Sequence, residues 1–421
     1  MLSRLKGFFL KNTSTKQTII KNTFWLLFAE AINKWWAFFV AIFIAQTLWR
    51  EQFGILSYMM SFVGMGMILA DFWLTTVMVR GVSRDSTQLN SYLISVSFLK
   101  ILLGIFVFLF VWILSSYITV PQISISLILV YCTYLIINNF SEFLRAFFRP
   151  SEDMQYEAYL KIVNGIIFFG ITMGVILYYP TIENIIYAYF LSWIIGLIFS
   201  ITFVLKKFNI RKFLLDKNII ISSLRQGLYI GIGAFCIALY MNSDQIIMGF
   251  YSQFEALWVY ALAYKITLMI AMLSGIIFTT LLPRVSQLTY IENGISNYKK
   301  WLKVIFQYNF LLILALEFVL LALYSLNLGQ YQEIIPILQW LLLYNFIEPL
   351  GYWWYLHLVS FWKENINLYI VMVIWVLNVV WNFILIPTYS YHGAIFTTIV
   401  SYILYFIIVN RVVLWKFLAK K

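Results

Sequence analysis

An all-α membrane protein of about twelve transmembrane helices, in two six-helix lobes related by a pseudo-two-fold axis, is the fold class that three observations predict. Of the 421 residues, 63% are hydrophobic and only 11% are charged. Apolar runs of roughly 20 residues, the length that crosses a bilayer as a helix, recur from end to end. These runs are continuous, whereas barrel strands would alternate polar and apolar over about ten residues.

The first span, about 22–48, follows a basic stretch holding Lys6, Lys11, Lys16 and Lys21 and lacks a small-residue cleavage site, so it reads as a retained helix. The second, about 53–78, runs into Arg80 and Arg84. The third and fourth, about 91–115 and 123–147, flank a short, nearly uncharged loop from Ser115 to Ser124, and Arg145 and Arg149 close the fourth. The fifth and sixth fall at about 157–179 and 182–205. The longest polar interruption, 206–224, interleaves Lys206, Lys207, Arg211, Lys212 and Lys217 with Phe208, Ile210, Phe213 and Leu214, the pattern of an interfacial linker. Six more spans follow at about 225–250, 255–281, 301–326, 331–358, 364–386 and 392–415. The domain division is therefore 1–205 as an N-lobe behind a basic amphipathic N-terminal segment, 206–224 as a linker, and 225–421 as a C-lobe.

With the N-terminus in the cytoplasm, the N-terminal lysines, Arg80, Arg84, Arg145, Arg149, the linker cations, Arg284, Lys299, Lys300, Lys363, Lys420 and Lys421 all fall on the cytoplasmic side. Only Arg50 sits in an outer loop. This asymmetry predicts a multi-pass protein with both termini cytoplasmic. It also accounts for the net charge of +12 as a topology signal, so nucleic acid is not an expected partner.

The halves resemble each other. Gly54-Ile-Leu-Ser-Tyr58 aligns with Ala256-Leu-Trp-Val-Tyr260, and Arg80-Gly-Val-Ser83 with Pro283-Arg-Val-Ser286. Both pairs share an offset of roughly 202 residues, about half the chain and an even number of helices, which predicts parallel lobes with a substrate path between them.

Lys34, Lys100 and Lys265 lie deep in apolar runs, where a cation costs roughly 2.5–3.5 kcal/mol unless a watery cavity or a charged passenger meets it. They are the candidate contacts for an anionic headgroup. Glu30 lies four residues before Lys34, the favourable order for an ion pair. Asp71, Asp244, Glu317 and Glu348 are acidic residues inside spans; each either binds a coupling proton or sodium ion or pairs across helices with a lysine. Arg80, Arg145 and Arg149 at helix ends read first as topology signals, and a phosphate entering from the cytoplasm would meet them. Lys161 is placed to snorkel, and Glu142 to pair with Arg145 three residues on.

Gly64, Gly66, Gly231 and Gly233 read as close-packing positions of membrane helices. Pro283, Pro349 and Pro387 read as kinks. Trp25, Trp49, Trp112, Trp193 and Trp415 lie near span ends and read as interfacial anchors, while Trp35 and Trp36 lie deeper. Cys132 and Cys236 fall inside spans without a CxxC pair, and His357 and His392 are far apart, so no metal, cofactor or hydrolytic centre is expected.

Gln52-Phe-Gly-Ile-Leu-Ser-Tyr58, Leu69-Ala-Asp71 and Val79-Arg-Gly-Val-Ser-Arg-Asp85 resemble the opening of polysaccharide-export flippases of the multidrug/oligosaccharidyl-lipid/polysaccharide (MOP) superfamily, with O-antigen flippases of the Wzx type similar in pattern. Two departures stand out: Leu48-Trp-Arg50 where such proteins often carry Leu-Gly-Pro, and Trp73 where they often carry glycine. The resemblance implies inversion of an undecaprenyl-diphosphate-linked oligosaccharide from the cytoplasmic to the outer leaflet of a bacterial inner membrane during lipopolysaccharide or related polysaccharide biosynthesis. By position, Lys34 and Lys265 are like the cavity cations of related lipid II flippases, and Asp71 and Arg80 belong to the signature itself.

The expectation is a transporter working by alternating access, in which Lys34, Lys100, Lys265 and Arg80 offset the diphosphate charge. Its expected partners are the lipid-linked oligosaccharide, the bilayer, a polysaccharide polymerase and a chain-length regulator. No cofactor is expected beyond coupling to a proton or sodium gradient. A multidrug or organic-cation exporter of the same superfamily is the alternative, disfavoured by lysines and kept open by the acidic residues. A membrane-embedded polymerase or transferase fits less well, because the outer loops offer little beyond Arg50, Glu51, Glu183, Glu255 and Glu333.

Overall fold

The computed structural model describes residues 15–118, 123–208, 215–288, 294–326, 329–360 and 364–413. The N-terminal amphipathic segment up to residue 14, residues 209–214 of the expected linker, Lys363, and the C-terminal Trp415, Lys420 and Lys421 lie outside the described residues. The described chain folds as α1 (Thr15–Thr47), α2 (Arg50–Asp71), α3 (Leu74–Arg84), α4 (Leu89–Ile118), α5 (Ile125–Arg145), α6 (Met154–Tyr178) and α7 (Ile182–Phe208). It continues as α8 (Lys217–Phe250), α9 (Phe254–Leu288), α10 (Gly294–Ser325), α11 (Ile334–Ser360), α12 (Glu364–Tyr389) and α13 (Tyr391–Val413). Eleven described segments are long and apolar enough to cross a membrane, and the seventh expected span lies within α8. In hydrocarbon, helices satisfy every backbone N–H and C=O internally, which is why the apolar runs take this form.

Two compact units result, Met1–Phe235 and Cys236–Lys421, dividing inside α8. Part of the expected linker is helical from Lys217, because the Asp216 carboxylate accepts the N–H of Asn218 at 2.8 Å and of Ile219 at 3.3 Å and so starts α8. Asp216 N–H in turn donates to Ser95 Oγ at 2.9 Å, tying this start to α4.

In the first unit α1 packs on α6, α5 on α7, α6 on α7, and α2 on α4 and α5. Its core gathers Phe143, Phe147 and Phe148 with Leu74, Met78, Val96, Leu160 and Val204. The second span is broken: Phe72 and Trp73 both take left-handed conformations, φ 44° and 59°, so α2 ends and α3 starts in a new direction. Against that break lies α8, where a Cβ on Gly227 would meet the Phe72 carbonyl oxygen at 2.5 Å and one on Gly231 would meet the Phe72 ring at 3.3 Å. Gly231 is thus a close-packing glycine, whereas a Cβ on Gly64 would meet nothing within 4 Å.

In the second unit α9 packs on α11, α12 on α13, α11 on α13, and α10 on α11. A polar seam ties α8, α12 and α13 together, with Asn382 donating to Ser243 Oγ of α8 at 3.4 Å. Asn382 donates to Asn378 Oδ1 at 3.1 Å, Asn378 donates to Ser401 Oγ at 3.1 Å, and Thr397 donates to Asn382 Oδ1. Side-chain hydrogen bonds of this kind supply cohesion between helices that the hydrophobic effect does not provide in lipid.

The two aligned segments carry equivalent packing. Tyr58 and Tyr260 are both fully buried, and each ring stacks on the residue four positions on: Phe62 at 5.9 Å and 15°, Tyr264 at 5.7 Å and 13°. Cys132 and Cys236 are both free thiols.

Candidate functional site

A cavity of about 170 Å³ opens within the first unit, walled by one face from each of four helices. Helix α1 contributes Glu30, Asn33, Trp36 and Ala37, and α5 contributes Tyr134, Asn138, Glu142 and Arg145. These spacings of three and four place each set on one helical face. Helix α6 supplies Lys161, Gly165 and Phe168, and α7 supplies Trp193. Gly165 keeps the α1–α6 contact open, since a Cβ there would lie 2.2 Å from Asn33 Oδ1. Neighbouring Trp35 points away and is 53% exposed, whereas Trp36 turns inward against the Phe169 ring at 4.4 Å.

One wall is an alternating chain of charges. Lys161 Nζ donates to Glu30 Oε1 at 2.5 Å and lies 3.3 Å from Glu157 Oε1. Arg149 then grips Glu157 through both nitrogens of one guanidinium edge, at 2.7 and 2.9 Å. Such bidentate, charge-assisted bonds are among the strongest that side chains make. The Glu157 side chain is fully buried and the whole set is mutually neutralised, which is how ionised groups persist at this depth.

Arg145 is different. Its residue exposure is 1%, yet Nε and Nη1 make no hydrogen bond among the described residues. Its guanidinium lies over the Trp193 ring at 5.5 Å. Trp36 Nε1 and Asn138 Oδ1 are likewise withdrawn from solvent without a hydrogen-bond partner among the described residues.

The residues singled out in the sequence scatter. Lys100 is not open to a passenger: its ammonium is held by Asp71 Oδ1 at 2.5 Å and Asn139 Oδ1 at 2.7 Å, across the interface of α4 with α2 and α5. Asp71 thereby takes the cross-helix pairing role rather than a free one, and also accepts the Thr75 hydroxyl at 2.9 Å. The expected Glu30–Lys34 pair is replaced by Glu30–Lys161, and Lys34 is exposed on α1. Lys161 does not snorkel, because two carboxylates hold it inward at 7% exposure. No ion pair forms between Glu142 and Arg145 among the described residues; Glu142 is exposed while Arg145 turns into the protein. Arg80 is exposed on α3. In the second unit, Lys265 is partly buried on α9. Asp244 is buried and accepts the Tyr260 hydroxyl and the Gln245 N–H instead of a lysine. Glu317 accepts Gln339 Nε2 at 2.9 Å, and Glu348 is partly buried with Oε2 making no hydrogen bond among the described residues.

Arg145 reads in the sequence as a helix-end topology signal, Lys161 as a snorkelling cation and Trp193 as an interfacial anchor, and the structure brings all three to the cavity. The signals that find them are the polar face Tyr134, Asn138, Glu142, Arg145 along one otherwise apolar helix and the Glu157–Lys161 spacing of four.

No curated protein matches the sequence significantly. Among solved structures, an inward-facing multidrug-resistance MATE transporter of the MOP superfamily matches with a TM-score of 0.65 at 14% identity, over 90% of this chain and 94% of that one. A MOP superfamily transporter from Pyrococcus furiosus, described as having a binding pocket of reverse polarity, matches with a TM-score of 0.59 at 14% identity, over 96% and 97%. An outward-facing MATE transporter matches with a TM-score of 0.60 at 13% identity, over 95% and 98%. The fold is therefore that of the MOP superfamily. The family model of polysaccharide biosynthesis proteins matches residues 19–289, well over half the sequence and all of the cavity's walls, and the chain belongs to that family.

Proposed function

We propose that the protein is a flippase that moves a lipid-linked oligosaccharide, carried on undecaprenyl diphosphate, from the cytoplasmic to the outer leaflet of a bacterial inner membrane by alternating access. Membership of the polysaccharide biosynthesis family and a MOP transporter fold support the class of cargo and the class of activity. The single observation that carries the anionic headgroup is Arg145, a buried guanidinium with two nitrogens uncommitted beside a cavity. A desolvated cation of this kind gains strongly from a phosphate oxyanion, far more than it would in water. Lys34, exposed on α1, and Lys265 on α9 remain proposed headgroup contacts, and Arg80 a first contact at the helix end. Lys100 is set aside as a cargo ligand because Asp71 and Asn139 occupy it. Energy coupling is proposed to use a proton or sodium gradient acting through the acidic residues.

The test is complementation of a flippase-null strain at normal membrane levels of the protein. Arg145→Ala is expected to lower surface polysaccharide at least tenfold, and Lys34→Ala and Lys265→Ala to impair it; full activity of all three would refute the cationic-headgroup reading. Multidrug export is the second reading, favoured by Glu142 standing exposed on the same cavity. Resistance to cationic dyes without a glycan phenotype would select it.

A further inference from the structure

We propose that the cavity of the first unit is a single-sugar subsite, which takes one pyranose ring of the cargo and discriminates among sugars by their hydroxyl pattern. The source of that sugar rests on the flippase reading above; the chemistry comes from the walls. Trp36, Tyr134, Phe168 and Trp193 present aromatic surface on several sides of the space. The C–H face of a pyranose is apolar and packs on such rings, while its rim of hydroxyls needs donors and acceptors. Both are present and uncommitted: Trp36 Nε1 as donor and Asn138 Oδ1 as acceptor, with the Arg145 nitrogens left for the neighbouring phosphate.

Buried polar atoms in folded proteins are nearly always hydrogen-bonded. Among the described residues, Trp36 Nε1 on α1 and Asn138 Oδ1 on α5 are not, and both belong to residues that line one cavity, where a polyhydroxylated ligand completes the bonding. The volume of about 170 Å³ would hold five or six waters at ~30 Å³ each, which suits one ring and is too small for two. Glu30 and Lys161 are bound to each other and serve to set the wall. Arg145 borders the same space, so the ring selected is the one nearest the phosphate that Arg145 receives. A site built to bond a hydroxyl rejects an isomer that places it elsewhere, because its own buried groups are then left unpaired.

The experiment reconstitutes the full chain in proteoliposomes and compares flipping of two probes, undecaprenyl-diphosphate-linked N-acetylglucosamine and N-acetylgalactosamine, which differ only at the C4 hydroxyl. Wild type is expected to distinguish them at least fivefold, and Asn138→Ala and Trp36→Phe to bring the ratio within about twofold. Trp36→Phe keeps a ring in place, so it carries the test if Asn138→Ala fails to fold. An unchanged ratio in folded variants, or a wild type that flips both probes equally, overturns the subsite and leaves the flippase reading intact. If wild type flips neither these probes nor undecaprenyl diphosphate carrying other single sugars, the flippase reading fails. The subsite is then decided by methyl glycosides of the same sugars: saturable quenching of tryptophan emission that is lost in Asn138→Ala supports it, and absence of quenching overturns it.

Discussion

The Lys100 ammonium sits 2.5 Å from the carboxylate of Asp71, the last residue before the second span breaks at Phe72 and Trp73. The lysine side chain is 1% exposed and the aspartate 29%. Removing one member of so buried a pair leaves the other uncompensated, which costs about 3–5 kcal/mol, whereas removing both together is close to neutral. Lys100→Met is therefore expected to lower the melting temperature in detergent sharply, and Lys100→Met with Asp71→Asn to restore most of it. A single variant as stable as wild type would show that the pair holds nothing.

Trp73 holds φ at 59°, a region that costs a non-glycine residue about 1–3 kcal/mol unless its surroundings compensate. This gives a physical reason for the glycine that similar flippases carry at this point. Trp73→Gly is expected to keep the fold and to raise thermal stability by about 1 kcal/mol, since the ring is already 38% exposed. A clear loss on melting would mean that ring packing outweighs backbone strain.

Gly227 and Gly174 offer a matched contrast. A methyl at 227 would collide with the Phe72 carbonyl oxygen, which is backbone and cannot rotate away, whereas one at 174 would meet nothing within 4 Å. Gly227→Ala is expected to destabilise by about 1–3 kcal/mol. Gly174→Ala, in the interior of α6, is expected to be neutral or to gain up to about 1 kcal/mol from helix propensity. Equal melting temperatures would contradict the close approach of α8 to the break.

Asp85 starts the short turn after α3. The Thr87 hydroxyl and N–H and the Gln88 amide donate to its carboxylate, at 2.5, 3.0 and 2.8 Å. Chiefly through the Thr87 bonds, its pKa is held below the ordinary value of 3.8. A depressed carboxylate contributes its stability above the unfolded-state pKa and loses it as pH falls through the folded-state value. The stability advantage of wild type over Asp85→Asn should accordingly be constant near neutrality and shrink in the acid range. An advantage that grows on acidification would contradict these bonds.

Most of the fold was legible because lipid narrows the choices: a long apolar run can only be a helix, and the runs announce themselves. Of the expected internal repeat, Tyr58 and Tyr260 pack alike, while the side chains of 283–286, aligned with 80–83, lie outside the described residues. What was not legible was which charge meets which. Glu30 had a suitable partner four residues away in Lys34, yet the side chain turns to Lys161 on α6, because ion pairing at depth is decided by which faces interlock. The same limit hid Arg145. Its position at a helix end is a topology cue in sequence terms, and only the packing of α5 against α7 and Trp193 reveals that it is buried. The αL pair Phe72 and Trp73 was hidden because neither residue type signals a break, and in Trp73 the absence of an expected glycine was the sole trace.

Among the described residues, the side chains around the cavity come from α1, α5, α6 and α7, and none from beyond 193. In the proposed subsite, sugar selection rests on the first unit, whereas the proposed headgroup contact Lys265 lies in the second. A lineage facing a new glycan could retarget by swapping a handful of inward-facing positions on those helices, and chimaeras that exchange only the first half between relatives should inherit the taste of the donor.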